Sequence, residues 1–98
     1  MPVLTFMGGP NSDPIINTTT LTSANWSSST YTITGLSGVT ATSTQVILPT
    51  TTMTQEQYEA FAAAEVIDNG QATGSITIKA LGTVPTIDIP IRVMVLPF

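Results

Sequence analysis

Five branched aliphatic residues stand at every second position near the C-terminus: Ile87, Ile89, Ile91, Val93 and Val95, separated by Asp88, Pro90, Arg92 and Met94. Alternate side chains of an extended chain point to opposite faces, so this spacing predicts a strand with one aliphatic side to bury. Pro90 has no N–H to give to a ladder, which predicts an open edge or a bulge at that position. The same period of two recurs upstream. Ile76 and Ile78 alternate with Ser75, Thr77 and Lys79, and Tyr31 and Ile33 alternate with Thr30, Thr32 and Thr34. Gln45-Val46-Ile47-Leu48 is a compact strand-like run stopped by Pro49, and Val39–Thr42 reads as a further extended stretch. The segments 75–79 and 87–95 are separated by the break Gly82–Pro85. They are expected to pair antiparallel, with Lys79 near Asp88.

One segment breaks the period. Thr54 followed three residues later by Gln57 has the form of a capping box. Tyr58, Phe61, Ala62 and Val66 then fall on one helical face, so a helix is expected over about 55–65 with Tyr58 and Phe61 packed inward. Asp68-Asn69-Gly70 is expected to end that segment as a turn. Residues 1–25 are less regular. Val3–Met7 fits a short strand, Gly8-Gly9-Pro10-Asn11 fits a turn, and the stretch from Asn17 to Asn25 is polar and β-branched. This part is either an N-terminal strand with a loop or a docking arm that packs on a neighbour. Residues 26–98 form the module proper. The expected fold is mainly β: a small antiparallel β-sandwich with one short α-helix closing an end or edge.

Composition narrows the function classes. The 98 residues include no His and no Cys, and only Lys79 and Arg92 are basic. Charged residues make up 8%, against roughly 25% in an average soluble domain. Without a basic patch there is no surface to displace counterions from phosphate, so nucleic acid is not an expected partner. No apolar run approaches the ~20 residues of a membrane span, so membrane insertion is not expected either. The N-terminal stretch lacks the pattern of a signal peptide. Thr, Ser, Asn and Gln must supply most of the solvated surface.

Catalytic chemistry has little to work with. Ser and Thr are plentiful, but no His is present as a general base, and Lys79 sits in an alternating strand as a solvated or paired residue. Asp13, Glu65, Asp68 and Asp88 are scattered, and nothing in their spacing brings two together as a glycosidase pair requires. A Cys/His metal site is absent, and Asp68-Asn69-Gly70 falls short of a calcium loop. The chain is therefore expected to be no enzyme and to need no cofactor or metal. Aromatic residues remain as binding candidates. Trp26, with Asn25 and Tyr31, offers a possible sugar or partner contact if its ring is exposed. Buried, the same ring is the large residue of a small core, and that is the favoured reading.

Several consecutive pieces carry a resemblance. Asn25-Trp26-Ser27 is followed by Tyr31-Thr32-Ile33, then by Gly38-Val39-Thr40-Ala41-Thr42-Ser43 and the Val46–Pro49 strand. Gln57-Tyr58-Glu59-Ala60 and Ala62–Val66 come next, then Gln71–Ile78 and Pro85–Ile91. In this order, from Trp26 to Pro97, they resemble the C-terminal β-module of phage head-fibre, tail-fibre and related prophage structural proteins. The resemblance implies a virion structural protein: a head fibre, capsid decoration or tail-fibre tip. It would be homo-oligomeric with a trimer favoured, and would dock to a capsid or tail protein. It implies no catalytic residues. The alternative is a host-surface or carbohydrate-binding module that takes a surface glycan through Trp26, Asn25 and Tyr31.

Overall fold

The computed structural model describes residues 13–97. Among them the elements run β1 (Ile15–Leu21), a short 3-10 turn (Ser23–Asn25), β2 (Thr30–Ile33), β3 (Gln45–Pro49), α1 (Gln55–Ala64), β4 (Val66–Ala72), β5 (Ser75–Ala80) and β6 (Ile89–Val95). The strands form two antiparallel three-stranded sheets, ordered β1-β6-β3 and β2-β5-β4. This is the expected small β-sandwich with one helix. The suggested strand at Val3–Met7 and turn at Gly8–Asn11 lie outside the described residues. Within the 1–25 segment, β1 pairs with β6 along its whole length, from Ile15 opposite Val95 to Leu21 opposite Ile89.

The alternation in β6 decides the core. Ile89, Ile91 and Val93 are fully buried and Val95 nearly so, while Pro90, Arg92 and Met94 occupy the other face. From the second sheet, Ile76, Ile78, Tyr31 and Ile33 face them, and Leu21, Leu36 and Val39 fill the ends. Five side chains of this cluster, Leu21, Ile78, Ile89, Ile91 and Val93, are inaccessible to solvent. Each contributes about 1.5–3 kcal/mol of transfer free energy. The β3 ladder ends at Pro49 opposite Ile91, so Pro90 is flanked by β1 alone, an open edge at the residue that cannot donate.

Four sequence expectations are corrected. First, β5 and β6 do not pair. They are the central strands of different sheets, so Lys79 lies opposite Thr30 and Ile67, and Asp88 Oδ1 accepts a bond from the Ser23 N–H at 2.8 Å. Period-two spacing reports a buried face without saying which strand lies alongside. The connection leaves β5 by bonding to the end of α1, and this carries the chain away from a hairpin.

Second, α1 starts where expected. Thr54 Oγ1 accepts from the Gln57 N–H at 3.1 Å, and Gln57 Oε1 accepts from the Thr54 N–H at 2.9 Å. Its inward face is different. Ala64 is buried and Gln57, Ala60 and Phe61 are half-buried, while Tyr58 is 54% exposed, Ala62 is exposed and Val66 belongs to β4. The small side chains of Ala60 and Ala64 let the helix sit close, although they give a weak hydrophobic signal in sequence.

Third, Asp68-Asn69-Gly70 is not a terminating turn. It lies within β4, where Asn69 and Gly70 together oppose Thr77, a bulge in which Gly70 adopts φ 121°. The turn itself is Thr73-Gly74, closed by Ala72 opposite Ser75. Fourth, Val39–Thr42 forms no strand. Leu36 and Val39 are buried beneath that turn, with the Leu36 N–H bonded to the Gly74 carbonyl and the Gly74 N–H to the Val39 carbonyl, both at 2.9 Å.

Candidate interaction surface

The outward faces of the two sheets differ in chemistry. On the β2-β5-β4 sheet, Thr30, Lys79, Thr32 and Thr77 point outward, and the Thr32 and Thr77 hydroxyls are hydrogen-bonded at 3.1 Å. Ile67 is the apolar exception there, 44% exposed. A polar outward face with a buried inward one is the usual arrangement for an antiparallel sheet. The β1-β6-β3 sheet departs from it. The cross-strand register places Ile16, Met94 and Val46 in one row and Thr18, Arg92 and Leu48 in the next, with Thr20 and Pro90 beyond. Ile16 is 56% and Val46 38% exposed, and Met94, Leu48 and Pro90 are half-buried. The one cation in this face, Arg92, is half-buried and its Nε donates to the Pro49 carbonyl at 3.1 Å. Its stem lies along the sheet and adds to the apolar surface.

Three strands about 4.8 Å apart and seven residues at about 3.3 Å give this face roughly 300 Å². A contiguous apolar patch of that size often marks a contact surface. A standard interface takes about 800 Å² from each partner, so the patch corresponds to an apolar centre, with the threonines around it as a polar rim.

A second feature lies on the side of the sandwich bounded by β3, α1 and β4. A groove of about 470 Å³ opens there over Ile47, Phe61, Val66, Ile76 and Ile78, with Gln45, Glu65 and Asp68 among its polar lining. The opposite side is closed. Tyr31 Oη of β2 accepts from the Thr22 N–H at 2.9 Å and donates to the Thr20 carbonyl at 3.4 Å, and the Asn17 side chain of β1 exchanges two bonds with the Ser37 backbone. Gln71 ties the groove's start together. Its Nε2 donates to the Thr40 and Ser43 carbonyls at 2.6 and 2.9 Å, and its Oε1 accepts from Gln45 Nε2 at 3.0 Å.

The aromatic candidates are adjacent. Trp26 is half-buried against the core and meets Tyr31 edge-on, with ring centroids 5.2 Å apart and an interplanar angle of 68°. Tyr31 is buried, and its hydroxyl is engaged as described. Trp26 Nε1 is buried and finds no acceptor among the described residues. Asn25 alone of the three is exposed, in the 3-10 turn. Of the carboxylates, Asp88 holds the Ser23 N–H and Glu59 accepts from Gln55 Nε2 at 3.1 Å. Among the described residues there is no group of three or more acidic side chains placed to hold a metal ion. No described helix is long and apolar enough to cross a membrane.

Sequence reasoning missed Ile16, Leu48 and Met94 as surface residues. A signal was present in Gln45–Pro49, where apolar side chains occupy both parities of the strand, a pattern that marks apolar surroundings on both faces. Reading it required the register, which joins β3 and β1 to opposite edges of β6. Comparison with known proteins gives no match: no family model, no curated protein and no solved structure.

Proposed function

We propose that this chain is a structural module of a phage or prophage particle, a head fibre, capsid decoration or tail-fibre tip. It acts by self-association and docking to the particle, without catalysis. The observation that carries the reading is the apolar outward face of the β1-β6-β3 sheet, centred on the Ile16–Met94–Val46 row. Burying that row between copies removes it from water. The trimer is the favoured form, since head-to-tail contacts that close into a ring bury the face without leaving one free. The lack of His and Cys and the scattered carboxylates support a non-enzymatic role. The order of motifs from Trp26 to Pro97 supports the virion setting.

Sedimentation of the chain beside Ile16→Glu and Thr32→Glu tests the reading. The wild type and Thr32→Glu are expected to associate alike, and Ile16→Glu to remain monomeric. Equal association of all three would remove this face from the account. A glycan-binding role would instead require the Trp26 ring to be accessible to a sugar, and direct glycan titration of the monomeric Ile16→Glu variant would reveal it.

A further inference from the structure

We propose that the groove between β3 and β4 is the seat of this chain's own segment Val3–Met7, laid beside β3 as an antiparallel strand. The inference stands apart from the assembly reading, because it concerns the opposite edge from Ile16.

The groove is a place where the sandwich is incomplete. Among the described residues no strand flanks the outer edge of β3 or of β4, and between them an apolar floor that includes Ile47 and Phe61 is open. A strand added to an open edge satisfies its free N–H and C=O groups and covers the floor with alternate side chains.

The position of β1 points to the occupant. Ile15 and Gln45 both lie opposite Val95, on either side of β6, so the chain preceding Ile15 enters at the end of the sheet where β3 begins. Two strand spacings, about 10 Å, separate the two starts, and a place beyond β3 is about 15 Å away. Residues 8–14 extended reach roughly 23 Å, which is enough to pass the end of β6. A segment returning from that crossing runs opposite to β1. Because β1 and β3 are both antiparallel to β6, it also runs opposite to β3.

The sequence of the segment fits the seat. Val3–Met7 matches β3 in length, and Gly8-Gly9-Pro10-Asn11 supplies turn chemistry directly after it. Leu4 and Phe6 share one face of an extended segment, and Val3, Thr5 and Met7 share the other. The first charged residue is Asp13, so no carboxylate is brought against Glu65 and Asp68 in the groove lining. The tether is short, which gives an effective concentration of order millimolar and favours the chain's own segment over that of a second copy.

The chain has no cysteine, so introduced pairs report without background. Thr5→Cys is combined in turn with Val46→Cys and with Ile47→Cys in the full chain, and each is oxidised with oxidised glutathione at low protein concentration. An intramolecular disulfide is expected in at least one pair, seen as a faster monomer band on a non-reducing gel. A disulfide formed only between chains would overturn the proposal in favour of an exchanged strand. As a measurement independent of cysteine geometry, hydrogen exchange is compared between the wild type and Leu4→Asp/Phe6→Asp. The amides of β3 are expected to exchange at least tenfold faster in the variant, with β6 unchanged. Unchanged β3 exchange together with no cross-link in either pair would refute the seat. Neither experiment depends on self-association, so its failure leaves the assembly reading to be judged by Ile16→Glu.

Discussion

Gly82→Ala is expected to loosen the end of α1. A Cβ at Gly82 would stand 2.1 Å from the Ala63 carbonyl oxygen and 3.2 Å from its carbon, and both are backbone atoms that no rotamer change can move aside. The close approach exists because residues 81–83 cap the helix. The N–H groups of Leu81, Gly82 and Thr83 donate to the carbonyls of Glu65, Ala64 and Ala63 at 3.1, 2.8 and 2.9 Å. These are carbonyls that a helix end cannot satisfy internally, and no basic side chain stands in the last turn to help. Separating the two segments weakens two or three bonds worth about 1 kcal/mol each, so a loss of roughly 2–3 kcal/mol is expected. For a domain of this size that is about 10–20 °C in Tm. Urea and thermal unfolding followed by circular dichroism measure it. Gly35→Ala is the control: a Cβ there meets nothing within 4 Å, and only its positive φ of 70° adds cost. It should lose about 1 kcal/mol. If Gly82→Ala unfolds within 0.5 kcal/mol of the wild type, or no less stably than Gly35→Ala, the capping argument is wrong.

Other substitutions test other joints. Gln71→Ala removes the side chain that bonds to Thr40, Ser43 and Gln45, and should cost about 2 kcal/mol while raising hydrogen exchange in residues 40–45 ahead of β6. Thr54→Ala removes half of the capping box and should cost about 1 kcal/mol by urea unfolding, with Thr54→Ser restoring most of it. Trp26→Ala strips the ring that packs on Tyr31 and should cost about 3 kcal/mol, visible as a lower urea midpoint; a stability equal to that of the wild type would show that the ring contributes little to the core.

The elements that were legible in the sequence share a physical trait: their signal is local. The capping box at Thr54 and Gln57, the alternation through Ile89–Val95 and the alternation at Tyr31 and Ile33 depend only on neighbours in the chain. What the sequence did not disclose depends on partners far away. Lys79 and Asp88 look like a cross-strand pair until β5 and β6 are seen to be the centres of separate sheets. Asp68-Asn69-Gly70 has good turn composition, yet the freedom of Gly70 is spent on a bulge. Tyr58 looked like the inner anchor of α1 because a large aromatic outweighs Ala60 and Ala64 in any hydrophobic pattern, whereas close approach of the helix needs the alanines. The apolar outward face was hidden for the same reason. Ile16, Met94 and Val46 come from three distant segments and become one row only through β6.

The central claim is that copies of the chain meet through that row. A single thiol placed at Ile16→Cys, and separately at Thr32→Cys, can be labelled across a range of protein concentrations. The account predicts that the thiol at 16 reacts quickly in dilute solution and becomes protected as the solution mass rises, while the thiol at 32 stays equally reactive throughout. Equal reactivity at both positions under conditions where the chain is assembled would contradict it.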